Sequence, residues 1–242
     1  MTDRTRQLGF AEAPQNTKGG DHRQGHRHRL RVRFLADGGR SMPDYEILEL
    51  LLFYAVQRKD TKALAKSLLA RFGSLGAVLS AEPEQLVGVK EMSERSMVLL
   101  KATREVGLRL TRAEAMAGPV LGSWDKVLAY CRARLAHERT ERFHLLFLDR
   151  KNRLIADQAQ QEGTVDHTPI YPREVVKAAL EMGACALILV HNHPSGDPSP
   201  SQQDIETTRA VIAAAKPLGI DVHDHIVVGK QGHASLRSLG LI

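Results

Sequence analysis

The chain has 242 residues, 43% apolar and 26% charged, a balance that excludes a disordered chain and suits one large or two modest folded domains. No apolar run approaches the roughly 20 residues of a membrane span, and the charged, Gly-rich start does not read as a signal peptide. The net charge of +6 allows contact with nucleic acid, and the only cysteines, Cys131 and Cys185, form no pairing or metal-binding motif, which fits a reducing cytoplasm.

Residues 1–28 are rich in Gly, Gln, His and Arg and lack periodic apolar positions, so they are expected to form a flexible basic tail. His26 and His28 fall inside it, flanked by arginines and followed by no carboxylate at a useful spacing. Residues 29–112 read as helices. Residues 44–53 follow Pro43 and carry acids in their first turn, a good helix start. Residues 61–71 place apolar side chains at 64, 65, 68 and 69, with Gly73 as a stop. Ser80 opens a segment with N-cap chemistry, and 93–110 predicts a long last helix. Residues 113–123 read as a linker broken by Gly118-Pro119.

From Trp124 the pattern mixes helix and strand through 124–242. A helix is expected at 124–136, an apolar strand at 143–148 and a turn at 149–152. A strand at about 153–161 and a helix at 172–182 follow. Next come a buried strand at 184–190, a helix at about 201–215 and a strand at 220–228. The order predicts an α/β (α+β) protein, a small all-helical domain followed by a sheet with flanking helices.

The chemistry concentrates after the buried strand. His191 and His193 alternate, so both side chains can reach one point, and a Pro/Gly-rich turn then brings back Ser201 and Asp204. Two imidazoles and a carboxylate make a three-ligand zinc site with its fourth position open, as in catalytic zinc. The tripeptide His191-Asn192-His193 does not make an HNH nuclease, whose letters name residues dispersed over a ββα unit. A purely structural zinc would call for a fourth protein ligand. His223 and His225, a second His-x-His on a strand, are the places to seek it, or one of them supports the first pair through a hydrogen bond. Asp224 could equally orient an imidazole. His167 and His233 read as surface residues, and Asp197 as a turn residue.

The ordered set His191-x-His193, seven residues, Ser201, two residues, Asp204 resembles the JAMM (MPN) metalloprotease motif. Its surroundings, residues 171–176 and 191–198, are similar to the bacterial RadC family, and the resemblance covers about 30–242. It implies a JAMM/MPN-like mixed sheet and a single Zn2+ held by His191, His193 and Asp204. It also implies that Ser201 helps to stabilise an oxyanion and that a glutamate before the first strand acts as general acid and base. Glu141, two residues before Phe143, fits that place best, with Glu138 second and Glu162 and Glu174 further candidates. The bland alternative is a solvated glutamate in the charge run 138–142.

Residues 79–107 resemble a helix-hairpin-helix segment, but the hairpin loop, 87–94, holds only one glycine, Gly88, and carries Glu91 and Glu94. The expected activity is hydrolysis of a peptide or isopeptide bond in an unidentified protein substrate. The alternative is a non-enzymatic DNA-binding, DNA-repair-associated or scaffold protein with a structural metal, touching nucleic acid through the basic segment 23–33 and the hairpin-like domain.

Overall fold

A computed structural model describes residues 22–57, 59–162 and 170–242, so residues 1–21 of the expected tail and His167 lie outside the described residues. The first helix, α1 (His22–Asp37), already includes residues 22–28, which were expected in the tail. The reason lies in the partner helix α2 (Asp44–Ala55), where Glu49 is fully buried and accepts a 2.9 Å bond from His26 Nε2. Arg27 meanwhile donates to the carbonyls of Val56, Gln57 and Lys59. A polar, basic segment is thus held by contacts that no local periodicity announces.

Three further helices follow, α3 (Lys62–Phe72), α4 (Leu75–Ser80) and α5 (Pro83–Val87). Gly73, at φ 90°, ends α3 in a backbone conformation open to glycine. Ser80 closes α4 instead of opening a helix, because Ser74 supplies the N-cap to Ala77 N–H and Pro83 starts the next one. The helix α6 (Glu94–Met116) starts at the Ser93 cap and runs into the expected linker. Ala113, Ala115 and Met116 favour helix, and only Gly118-Pro119 stops it. Leu48, Leu52, Leu64, Leu68, Leu86 and Leu100 form the buried core of this helical region.

The remainder is a three-layer unit. Strands β1 (Arg142–Leu148), β2 (Leu154–Glu162), β3 (Ala186–Asn192), β4 (Asp221–Val228) and β5 (His233–Ser235) form one mixed sheet in the order β2-β1-β3-β4-β5. Among the described residues only β3 and β4 run parallel. One face (Leu146, Leu148, Ile188, Val190) packs on α7 (Trp124–Leu135) and on Ala115 and Val120, so the expected linker is partly core. The other face (Phe143, Leu145, Phe147, Leu187, Leu189) packs on α8 (Pro172–Glu181) and α9 (Gln202–Ala215). No helix among the described residues is long and apolar enough to cross a membrane.

Candidate metal centre

His191 lies inside β3, opposite Phe143 of β1, and shares the α8/α9 face with Leu187 and Leu189. His193 follows the strand and keeps its alternation, because its N–H bonds to Val228 O at 3.0 Å. Asp204 stands in the first turn of α9, which begins at the Ser201 cap. The three side chains converge. His191 Nε2 is 3.0 Å from His193 Nε2 and 3.4 Å from Asp204 Oδ1, and His193 Nε2 is 3.7 Å from Asp204 Oδ2.

The hydrogen bonds fix which nitrogens carry protons. Thr208 Oγ1 donates to the Asp204 carbonyl at 2.5 Å, so its oxygen accepts from His225 Nδ1 at 2.6 Å. His225 Nε2 therefore has a bare lone pair and accepts from His191 Nδ1–H at 2.8 Å. His193 Nδ1–H donates to the Asp197 carbonyl at 2.9 Å. With both imidazoles neutral, the two Nε2 atoms carry lone pairs and face each other. At 3.0 Å the two lone pairs repel unless a proton or a metal cation lies between them. Two nitrogens on one tetrahedral zinc lie about 3.3 Å apart, so the donor set fits that ion.

Charge and burial agree. Burial pushes His191 down to about 4 and His225 well below its usual range, which keeps both imidazoles neutral. Burial alone would raise Asp204, but the neighbouring His193 and His191 and the two bonds from Ser201 hold its carboxyl well below the usual carboxylate range. Asp204 in turn raises the proton affinity of His193, so a proton competes for the place a metal would take.

Ser201 is exposed and doubly engaged with Asp204. Its Oγ–H and its backbone N–H both donate to Asp204 Oδ2 at 2.7 Å, which leaves Oδ1 facing His191. Glu141 sits one residue before β1, where the β1–β3 pairing continued by two residues meets His193, on the same face. Its charge contributes to the raised proton affinity of His193. Glu138 does not share this place. It bridges Arg104 of α6 at 2.8 Å and Arg142 of β1 at 3.1 Å, a structural tie. Glu174 is exposed on α8 beside Arg173, and the side chain of Glu162 lies outside the described residues.

Three contributors escaped the sequence reading. Asn192, 1% exposed, accepts from Arg142 N–H at 2.9 Å and donates to Thr140 O at 3.0 Å, strapping the backbone on both sides of Glu141 to β3. Thr208 orients His225, and the Asp197 backbone orients His193. Of the second His-x-His, His225 reaches the site, while His223 bonds to Asn152 at 2.7 Å. Asp224 orients no imidazole. It holds Ser235, Arg237 N–H and the His225 N–H. His233 is exposed, as expected.

A sheet between helical layers, with a buried His-His-Asp group at one strand end, defines an α/β protein with a metal-centre geometry. Residues 121–241, half of the chain, match the family described as the RadC-like JAB domain, and the chain belongs to the RadC family.

Proposed function

We propose that this chain is a zinc-dependent hydrolase of the JAMM type, cleaving a peptide or isopeptide bond in the cytoplasm. The observation that carries the reading is the convergence of His191 Nε2, His193 Nε2 and the Asp204 carboxylate, with both Nδ1 atoms held by other partners. Only these three residues group as metal ligands among the described residues, and His225 spends its Nε2 on His191 instead of closing the set. Three protein ligands favour a catalytic site over a structural one. Both cysteines are free, which suits the cytoplasm.

When bound, zinc supplies a Lewis acid that polarises a carbonyl and acidifies water. Glu141 accepts the proton of the attacking water at its carboxylate and returns it to the leaving amine. Asn192 holds the backbone around Glu141 so that the carboxylate keeps its aim. Ser201 first aims the Asp204 carboxylate. It can donate to a substrate oxyanion only after its hydroxyl turns away from Oδ2.

Elemental analysis of the purified chain tests this directly. We expect about one zinc per chain in the wild type, lost in His193→Ala and Asp204→Ala. Glu141→Gln should retain the metal and lose hydrolysis of any peptide the wild type cuts. Zinc that survives both ligand changes would sink the assignment and leave the scaffold or DNA-binding reading.

A further inference from the structure

A cleft of about 970 Å³ lies between the helical region and the RadC-like domain. Its wall abuts the segments that carry the metal centre, since it includes Thr140 and Arg142, which flank Glu141, and Pro194, which follows His193. Its charge is mainly basic. Arg71 of α3, Arg139 before β1 and Lys230 after β4 are exposed, line the cleft from three elements, and have no ion-pair partner among the described residues. Of its two carboxylates, Glu138 is paired with Arg104 and Arg142, and exposed Glu82 at the start of α5 is the one acid set against the three cations.

We propose that this cleft binds an acidic segment of the polypeptide substrate beside the metal centre, a proposal that rests on the hydrolase reading above. The volume lies in the range of small ligand sites, about 300–1,000 Å³, enough for a few extended residues and too little for a duplex. Single-stranded nucleic acid is held chiefly by stacking on aromatic side chains. Among the described residues the only aromatic ring lining the cleft besides His137 is Phe72, which packs into the helical core. Unpaired cations without a stacking platform favour carboxylates on a chain over bases on a strand. The cations also come from both halves of the molecule, so an acidic segment bound there would bridge them.

The test is fluorescence anisotropy of a labelled octaglutamate peptide with the full chain at low salt. An octalysine peptide and an eight-nucleotide oligothymidine serve as comparisons. The variant Arg71→Glu/Arg139→Glu/Lys230→Glu should weaken octaglutamate binding about ten-fold or more, since three exposed charge contacts reverse sign. An equal charge change elsewhere, Arg31→Glu/Lys126→Glu/Arg150→Glu, should leave it nearly unchanged. All six positions are exposed, and circular dichroism checks that both triples fold. No octaglutamate binding, or equal loss in both triples, overturns the proposal. So does tighter oligothymidine binding that the cleft triple abolishes, which would make the cleft a nucleic-acid channel. His193→Ala should bind octaglutamate like the wild type. If zinc analysis fails while this binding stands, the hydrolase reading falls and the anionic site remains. If zinc is confirmed and binding is absent, the reverse holds.

Discussion

His225 shows how a residue can matter at a metal centre without touching the metal. It is fully buried between Thr208 and His191, and the one-way donors along that line leave His191 no tautomer but Nδ1–H. Replacing it with Leu removes the acceptor for that proton. The imidazole is then free to move its proton to Nε2, the atom the metal needs. We expect His225→Leu to weaken zinc binding about 10- to 100-fold, and Thr208→Val to act in the same direction but less, as measured by competition with a chelating dye. Unchanged affinity in both would remove the relay. His144, on the opposite face of β1, is buried for a different end and gives a pH effect. Burial pushes it down to about 4 from 6.5. Its folded pKa is depressed, so the unfolded chain takes the proton first. Stability is then full above about 6.5 and falls toward about 4, at about 1.4 kcal/mol per pH unit for the one proton. His144→Phe should flatten the acid limb of metal-free urea unfolding by that one proton, and parallel limbs would disprove the assignment. The ligands His191, His193 and Asp204 were legible because strand alternation and loop length are local facts. Asn192, Thr208 and the Asp197 carbonyl were not, since each acts through a partner distant in sequence or through backbone atoms.

The elements that aim the site depend on two irregularities. The first is in β4. Between Leu187 and Ile188 of β3 the pairing advances by two residues on β4, so His223 is an extra residue and the alternation reverses after it. Val222 faces α9, and without the bulge His225 would point to α7. With the bulge it meets His191. A sequence that reads His223-Asp224-His225 as one face therefore misplaces one of the two. The second is the loop 194–200, which lies on Gly229. A Cβ at Gly229 would stand 2.3 Å from Gly196 O and 2.9 Å from Pro198 Cδ, and that loop carries the Asp197 carbonyl that holds His193. Gly229→Ala should cost about 1–3 kcal/mol by displacing the loop, and should weaken zinc binding in the same protein. Denaturant unfolding and zinc titration read the two effects, and a neutral variant would mean that the loop is slack. The long helices and strands were legible from apolar period, as in α3, α9 and β3. The hairpin after α5 was less so: its turn amides at Val89 and Met92 bond to Leu86 and Val89 carbonyls, and Glu91 takes φ 70°.

At the scale of the whole molecule the question is where the second domain begins. Composition places a linker at 113–123, and the family match begins at 121, yet the core begins earlier. Ala115 and Val120 are fully buried against the sheet and α7, with Met116 packed on them. Val120 N–H bonds to Asn152 O at 2.7 Å, and Pro119 bridges to Arg153. Upstream, α6 adds two polar ties, Arg104 to Glu138 and Arg112 to Asp157, the second beside Tyr130. A chain of residues 113–242 keeps the apolar seal and loses both ties, although Glu138 retains Arg142 and Asp157 retains Tyr130. A chain of residues 121–242 loses the seal as well. Burying Val120 and Met116 is worth about 1.5–3 kcal/mol each when complete, whereas the loss of each partly buried ion pair is offset in part by Arg142 or Tyr130. The 113–242 chain should therefore fold cooperatively and unfold at a clearly higher urea midpoint than 121–242. Adding Glu138→Gln and Asp157→Asn to 113–242 should change its midpoint little. Equal midpoints for the two truncations would mean that the domain starts at α7, with the preceding turn and helix end merely resting on it.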